Sequence, residues 1–242
     1  MTIGEHRFPV GPVPVLKVHG EPRPRPAVIV LHGLRGSAEL QRKELVSLAE
    51  SGITAVALDA PHHGHRRDGW LEALDAGGLD DGHARFLRLI LDAVPEVSRV
   101  IDHLVEEGHG PIGVLGISMG AYAALAVARA DSRVAATISI LGSPDWKPAR
   151  SRETDEVRRL MGLAPVHTPD ELTRAPLLFL NAGKDTSVPP DAARRFAATH
   201  AHRGVEYVEY PHSEHLMRPD DWTDLWSRAV AFLRRQRGFS SA

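Results

Sequence analysis

No cysteine occurs among the 242 residues of the chain. That absence removes a disulfide framework, a cysteine-ligated metal and a thiol nucleophile together. Net charge is nearly absent as well: 29 Lys and Arg stand against 31 Asp and Glu, a formal balance of −2 at pH 7. Such a balance gives no long-range attraction for nucleic acid or an anionic membrane, so neither is expected as a partner. Lysine is scarce, with 4 residues against 25 arginines. Beside the abundant alanine, this reads as a composition bias rather than a binding signal. No apolar run approaches the roughly 20 residues that span a bilayer. The opening MTIGEHRFPV lacks the basic start and apolar stretch of a secretory signal. A soluble, cytoplasmic protein is expected. No repeat or linker interrupts the chain, so one domain over 1–242 is expected, and a homodimer is compatible with it.

What the sequence does contain is a series of short apolar runs. AVIVLHG (27–33), ITAVALDA (53–60), PIGVLGIS (111–118), VAATISILG (134–142), PLLFLNAG (176–183) and VEYVEYP (205–211) recur along it. Runs without polar alternation suit strands buried on both faces, as in a parallel sheet. The last run alternates more and reads as an edge strand. EPRPRP (21–26) reads as a stiff connection into the first of these strands, with a polyproline ligand for a partner as the alternative.

Helical patterns separate the runs. Residues 37–51 place Leu40, Leu45, Leu48 and Ala49 on one face. Residues 83–107 carry a long apolar stripe from Phe86 to Val105, which Pro95 is expected to kink or split. Residues 118–130 are small and alanine-rich, as suits a helix pressed on a sheet. Residues 189–201 open on Pro-Pro-Asp, a helix start, and residues 220–237 carry Trp222, Leu225, Trp226 and Phe232. Alternating strand and helix predict an α/β fold: a mostly parallel sheet with helices on both faces and right-handed crossovers. The segments 61–82 and 143–175 break the alternation, and each follows a strand. Ligands bind beyond the carboxyl ends of such strands, so these segments are expected to wall or cover a site.

Gly116-Ile117-Ser118-Met119-Gly120 matches G-x-S-x-G, with a buried run before it and a small-residue helix pattern after it. A sharp strand-to-helix turn drives its central residue towards positive φ, at a cost on the order of 1–2 kcal/mol for a non-glycine residue. Side chains two residues away would collide across the turn, which explains the paired glycines. The turn lifts the serine hydroxyl to a helix N-terminus, where developing negative charge is favoured. A serine hydroxyl is protonated at neutral pH and needs a positioned base, and that base needs a third group to fix its tautomer.

Here the sequence resembles the α/β-hydrolase family over about residues 25–237. It looks closest to the small bacterial esterases of the dienelactone-hydrolase and prolyl-oligopeptidase-like branch. The resemblance implies the chain order serine, acid, histidine. FLNAGKDTSVPPDAA places Asp185 after a buried run and looks like the family's G-x-x-D-x-x-V-P segment. EYPHSEHLM (209–217) offers two histidines. His215 falls where the family has its base, and His212 stands where the family often has glycine and is taken to line the site. Asp145, in GSPDW, is the reserve acid. The oxyanion donors are expected to be the Met119 N–H and, by resemblance, the Leu34 N–H after His32-Gly33.

Other signals are read more plainly. His62, His63 and His65 in PHHGHRR tempt a metal reading, but near-adjacent histidines on a short loop rarely converge on one ion, so no metal is expected. His63 or Arg66 could instead contact substrate. Trp70, Trp146 and Met161 are candidates for an apolar acyl pocket, with simple loop packing as the alternative. The expected function is a cofactor-free serine hydrolase of carboxylic esters, acting on a small-molecule ester with a short acyl chain. An amidase or peptidase of the prolyl-oligopeptidase-like type is the alternative, and a non-catalytic binding module a more distant one.

Overall fold

The computed structural model describes residues 2–20, 25–76, 78–147 and 154–240, with the side chains of 78–81 excepted. The connector EPRPRP falls largely outside the described residues. Each of the six apolar runs forms a strand: β3 (Ala27–Leu31), β4 (Thr54–Leu58), β5 (Ile112–Ile117), β6 (Val134–Ile140), β7 (Leu177–Ala182) and β8 (Val205–Tyr210). They pair in parallel, in the order β4-β3-β5-β6-β7-β8. Their side chains alternate between two apolar layers, which is why the runs show no polar alternation. In β3, Ala27, Ile29 and Leu31 enter one layer while Val28 and Val30 enter the other. β8 lies at the sheet edge and is half-exposed along its middle, as its alternation predicts.

The sheet is wider than the six runs suggest. An N-terminal hairpin, β1 (Gly4–Val10) and β2 (Val13–His19), adds two antiparallel strands beyond β4 and completes eight. Pro9 and Pro14 face each other in its register. Proline donates no ladder hydrogen bond, and that masks the strand pattern; Pro9 lies on the edge strand β1 and Pro14 at the start of β2.

Helices α1 (Arg42–Glu50) and α8 (Pro219–Arg235) cover one face through Leu45, Leu48, Leu225 and Phe232. The other face carries α3 (Gly78–Glu106), α4 (Met119–Ala130) and α7 (Asp191–His200). The short helices α2 (Trp70–Ala76), α5 (Asp155–Met161) and α6 (Pro169–Leu172) pack beside them. Pro95 does not split α3, which runs through it. The lost backbone bond costs about 3 kcal/mol. Ile90, Ala93, Val97, Val100, Ile101 and Leu104 are buried on both sides of the proline, and each large one is worth about 1.5–3 kcal/mol. Packing therefore outweighs the break. Leu40 and Val105, assigned to buried faces from the sequence, are 68% and 47% exposed.

Candidate active site

The loops that follow β3, β5, β6, β7 and β8 gather at the carboxyl edge of the sheet. Ser118 forms the turn from β5 into α4 with φ 54° and ψ −116°. Its N–H donates to the Ile140 carbonyl at 2.8 Å, and its own carbonyl accepts from Ala121 N–H at 2.8 Å, so strand and helix hold the strained residue from both sides. The flanking glycines are demanded by close approach. A Cβ on Gly116 would stand 2.0 Å from the Gly120 oxygen, and one on Gly120 would stand 2.1 Å from the Leu31 oxygen. Positive φ at non-glycine residues recurs at Arg35, His62 and Leu141, each in a segment following a strand of this edge. Such strain gathers where a scaffold holds working groups in place.

Ser118 Oγ lies 3.0 Å from His215 Nε2, and His215 Nδ1 lies 2.7 Å from Asp185 Oδ2. A carboxylate can only accept, so Nδ1 carries the hydrogen, and Nε2 is left as the acceptor for the serine hydroxyl. The Asp185 side chain is fully buried. Its second oxygen accepts from the N–H groups of Ser187 and Val188, both at 2.8 Å, which fixes the carboxylate in the turn before α7. The loop bearing His215 is tied to that turn by Lys184 N–H donating to the Ser213 carbonyl at 2.9 Å. Ser213 in turn donates to Asp221 on α8 at 2.6 Å. These three residues can pass a proton from the serine hydroxyl to a base whose developing charge a buried carboxylate stabilises.

The segment after β3 runs beside Ser118: a Cβ on Gly33 would sit 3.6 Å from Ser118 Cβ. The Gly33 carbonyl accepts from His32 Nδ1 at 2.8 Å and from Gly36 N–H at 2.9 Å. In a trans peptide the next N–H points the opposite way, so these two bonds turn Leu34 N–H away from them. Met119 opens α4, and its N–H has no intrahelical acceptor. Neither amide donates to another backbone group among the described residues. Burial pushes the His32 pKa down to about 4, which keeps the ring neutral. His32 Nε2 then accepts from Ala60 N–H at 3.1 Å.

Ser118 and His215 open into a cleft of about 870 Å³. Leu34, Phe86, Tyr122, Asp145 and Val188 contribute to its walls. None of the six proposed substrate contacts does. His63 is buried, with Nδ1 on the Pro61 carbonyl at 2.7 Å and its ring against His32. Trp70 stacks on His62 at 5.1 Å and borders a separate hollow with Arg85 and Asp92. Trp146 is fully buried in the core, and Met161 packs against that core. His212 is exposed outside the cleft.

No described residue of the 61–82 segment lines the cleft, and buried polar contacts hold its start elsewhere. Asp59, 1% exposed at the end of β4, accepts from Ala38 N–H and His65 N–H at 2.8 and 2.9 Å. Arg66 forks onto Glu96 of α3 at 2.6 and 2.7 Å, so it is not free to meet substrate. His62, His63 and His65 diverge, and among the described residues no cluster of three metal-ligating side chains forms. The 143–175 segment does wall the cleft, through Ser143, Asp145 and Lys147. The Asp145 carboxylate accepts from Lys147 N–H at 3.1 Å, and His215 is held by Asp185 instead.

His83, Phe86 and Tyr122 line the cleft and were not singled out from the sequence. Tyr122 carried a usable signal: it stands one helical turn after Ser118, on the same helix face. Among the described residues, no helix is long and apolar enough to cross a membrane.

Comparison with known proteins agrees with this architecture. Residues 22–169, which include the Ser118 turn but not Asp185 or His215, match the family described as "Serine aminopeptidase, S33". "Putative esterase YitV" of Bacillus subtilis (strain 168) is 28% identical over 206 residues, covering 76% of this chain and 78% of that protein. "Esterase YjfP" of Escherichia coli (strain K12) is 27% identical over 210 residues, covering 78% and 77%. The crystal structure of TT1662 from Thermus thermophilus superposes with a TM-score of 0.79 at 22% identity, over 97% of this chain and 98% of that one. With the family match spanning more than half its length, on an eight-stranded, mostly parallel sheet, the chain belongs to the serine aminopeptidase S33 family of α/β-hydrolases.

Proposed function

We propose that the protein is a serine hydrolase of carboxylic esters in which Ser118 is the nucleophile, His215 the general base and acid, and Asp185 the residue that orients His215. The observation that carries the reading is the hydrogen-bonded line from Ser118 Oγ through His215 to the buried Asp185 carboxylate. Ser118 Oγ attacks the ester carbonyl carbon as its proton passes to His215 Nε2. The oxyanion of the tetrahedral intermediate is held by the Leu34 and Met119 amides, each such donor typically worth roughly 3–4 kcal/mol in the transition state. The imidazolium gives its proton to the leaving alcohol as the carbon–oxygen bond breaks. Water, deprotonated by the same nitrogen, then releases the acid and restores the serine. No step calls for a cofactor.

Two relatives bearing esterase names support ester over amide substrates. The family's own description favours peptide-bond cleavage as the second reading. A short acyl group on Ser118 leaves most of the 870 Å³ cleft to the alcohol half. A fluorophosphonate probe should label wild-type protein and not Ser118→Ala. A chain-length series of nitrophenyl esters, run beside aminoacyl anilides, separates the two substrate classes. Faster turnover of the anilides would reject the ester assignment, and absence of labelling would reject the nucleophile.

A further inference from the structure

We infer that Tyr122 and His83 form a subsite for a hydroxyl group carried by the ester substrate. The inference deepens the esterase reading and rests on it. Tyr122 is 9% exposed and lines the cleft, yet among the described residues its hydroxyl has no hydrogen-bond partner. The hydroxyl is not one of the sealed polar atoms without a partner, so it opens onto the cleft. The ring packs edge-on against Phe86, with centroids 5.4 Å apart and planes at 82°. Its backbone sits one turn after Ser118 on the same helix face, so the orphan hydroxyl looks into the space beside the nucleophile. Burial, with the Asp185 and Asp145 carboxylates adding to it, pushes the phenol pKa up, so the group stays a hydrogen-bond donor.

His83 supplies the complementary half. Its Nε2 lies 2.9 Å from the carbonyl of the fully buried Trp146. A carbonyl only accepts, so Nε2 carries the hydrogen. Burial lowers the pKa of the ring, and the neutral ring then has a bare acceptor at Nδ1. His83 and Tyr122 both line the cleft and both pack against Phe86, the histidine stacked on it at 6.3 Å. The wall thus offers one donor and one acceptor flanking an aromatic surface. A hydroxyl both donates and accepts. An alkyl group satisfies neither side, and a carbonyl satisfies only the tyrosine. The substrate class is therefore an ester with a hydroxylated acyl chain or a polyol alcohol.

The test compares kcat/KM within two matched pairs. 4-Nitrophenyl 3-hydroxybutyrate against 4-nitrophenyl butyrate places the hydroxyl on the acyl half. Glyceryl 1-monobutyrate against propyl butyrate places it on the alcohol half. Wild-type enzyme should favour the hydroxylated member of at least one pair by about tenfold or more, the scale of one well-made hydrogen bond in a desolvated site. Tyr122→Phe keeps the ring and removes the hydroxyl, so it should erase about that preference. His83→Phe should lower the same ratio independently. The wild-type ratio stands even if a variant fails to fold. No preference in either pair overturns the inference. So does a preference that survives both substitutions, or a fall of both members of a pair by the same factor. Failure to turn over any ester, with no fluorophosphonate labelling, would instead reject the esterase reading beneath it.

Discussion

Gly120→Ala tests whether the architecture of the turn, and not merely its serine, makes the site. In an ordinary helix interior this substitution gains up to about 1 kcal/mol. Here the new Cβ would lie 2.1 Å from the Leu31 oxygen, 2.5 Å from the Leu31 carbonyl carbon and 2.7 Å from the His32 oxygen. All three are backbone atoms, and β3 is hydrogen-bonded to β4 on one side and β5 on the other, so the strand cannot yield. The helix must shift by about 1 Å, and overpacking of this kind costs about 1–3 kcal/mol. For a chain of this length each kcal/mol lowers Tm by about 2–4 °C. The shift also moves Ser118 and the Met119 amide relative to Leu34, and a 1 Å misplacement costs about 10²-fold in rate. Thermal unfolding and ester turnover measure the two effects separately. Gly82→Ala, also in a helix, is the control, because among the described residues its Cβ would meet only Leu74 Cδ1 at 3.8 Å; it should keep turnover and hold or raise Tm. A Gly120→Ala enzyme with wild-type Tm and kcat would refute the close-approach argument.

Three further outcomes are expected. His215→Ala should lose nearly all turnover and Asp185→Asn about 10⁴-fold in kcat, while His212→Ala, exposed outside the cleft, stays within a few-fold of wild type; equal losses for the two histidines would sink the assignment. Ser118→Gly should be about 1 kcal/mol more stable than Ser118→Ala, because φ 54° strains alanine and not glycine; the reverse order in chemical denaturation would show that the turn is unstrained. His32 has a folded-state pKa of about 4 against an unfolded value of 6.5, so between those values only the unfolded chain takes up the proton. Its contribution is complete above pH 6.5 and is lost on acidification towards pH 4, about 3 kcal/mol in all. His32→Asn should flatten the pH dependence of the urea midpoint across that window, and an unchanged slope would count against the assignment.

The parallel core was legible because strands buried on both faces write apolar runs with little alternation, as β3 to β7 do, while β8 betrays its edge position by alternating. The hairpin was hidden by Pro9 and Pro14, whose missing donors are tolerated on the edge strand β1 and at the start of β2. Pro95 misled in the opposite sense, since local chemistry disfavours a helix there and burial along α3 overrides it. Ser118, Asp185 and His215 were readable for a different reason. The strand–turn–helix context singled out Ser118, and resemblance to the family's segments that follow a strand singled out Asp185 and His215; the three lie within hydrogen-bond reach of one another in the order Ser118–His215–Asp185.

The walls of the cleft obey no such rule, and the cause is visible in the residues involved. An aromatic side chain suits a core and a substrate pocket equally, so Trp146 and Trp70 could not be assigned from type alone. The direction of the 61–82 segment is decided by Asp59, which draws Ala38 and His65 together, and by Arg66, which reaches across to Glu96. Those contacts close over 21, 6 and 30 positions along the chain and leave no periodic trace in it. They also brace the segment that carries the Leu34 amide proposed for the oxyanion. Ala38 belongs to the segment that carries Leu34, and Ala60 N–H holds the ring that holds the Gly33 carbonyl. A loop pinned for that purpose cannot also fold over the substrate. The cleft is walled instead by residues of α3, α4 and α7 and of the segments after β3, β6, β7 and β8, and this is why Tyr122 and His83 line it rather than the histidines of the 61–82 loop.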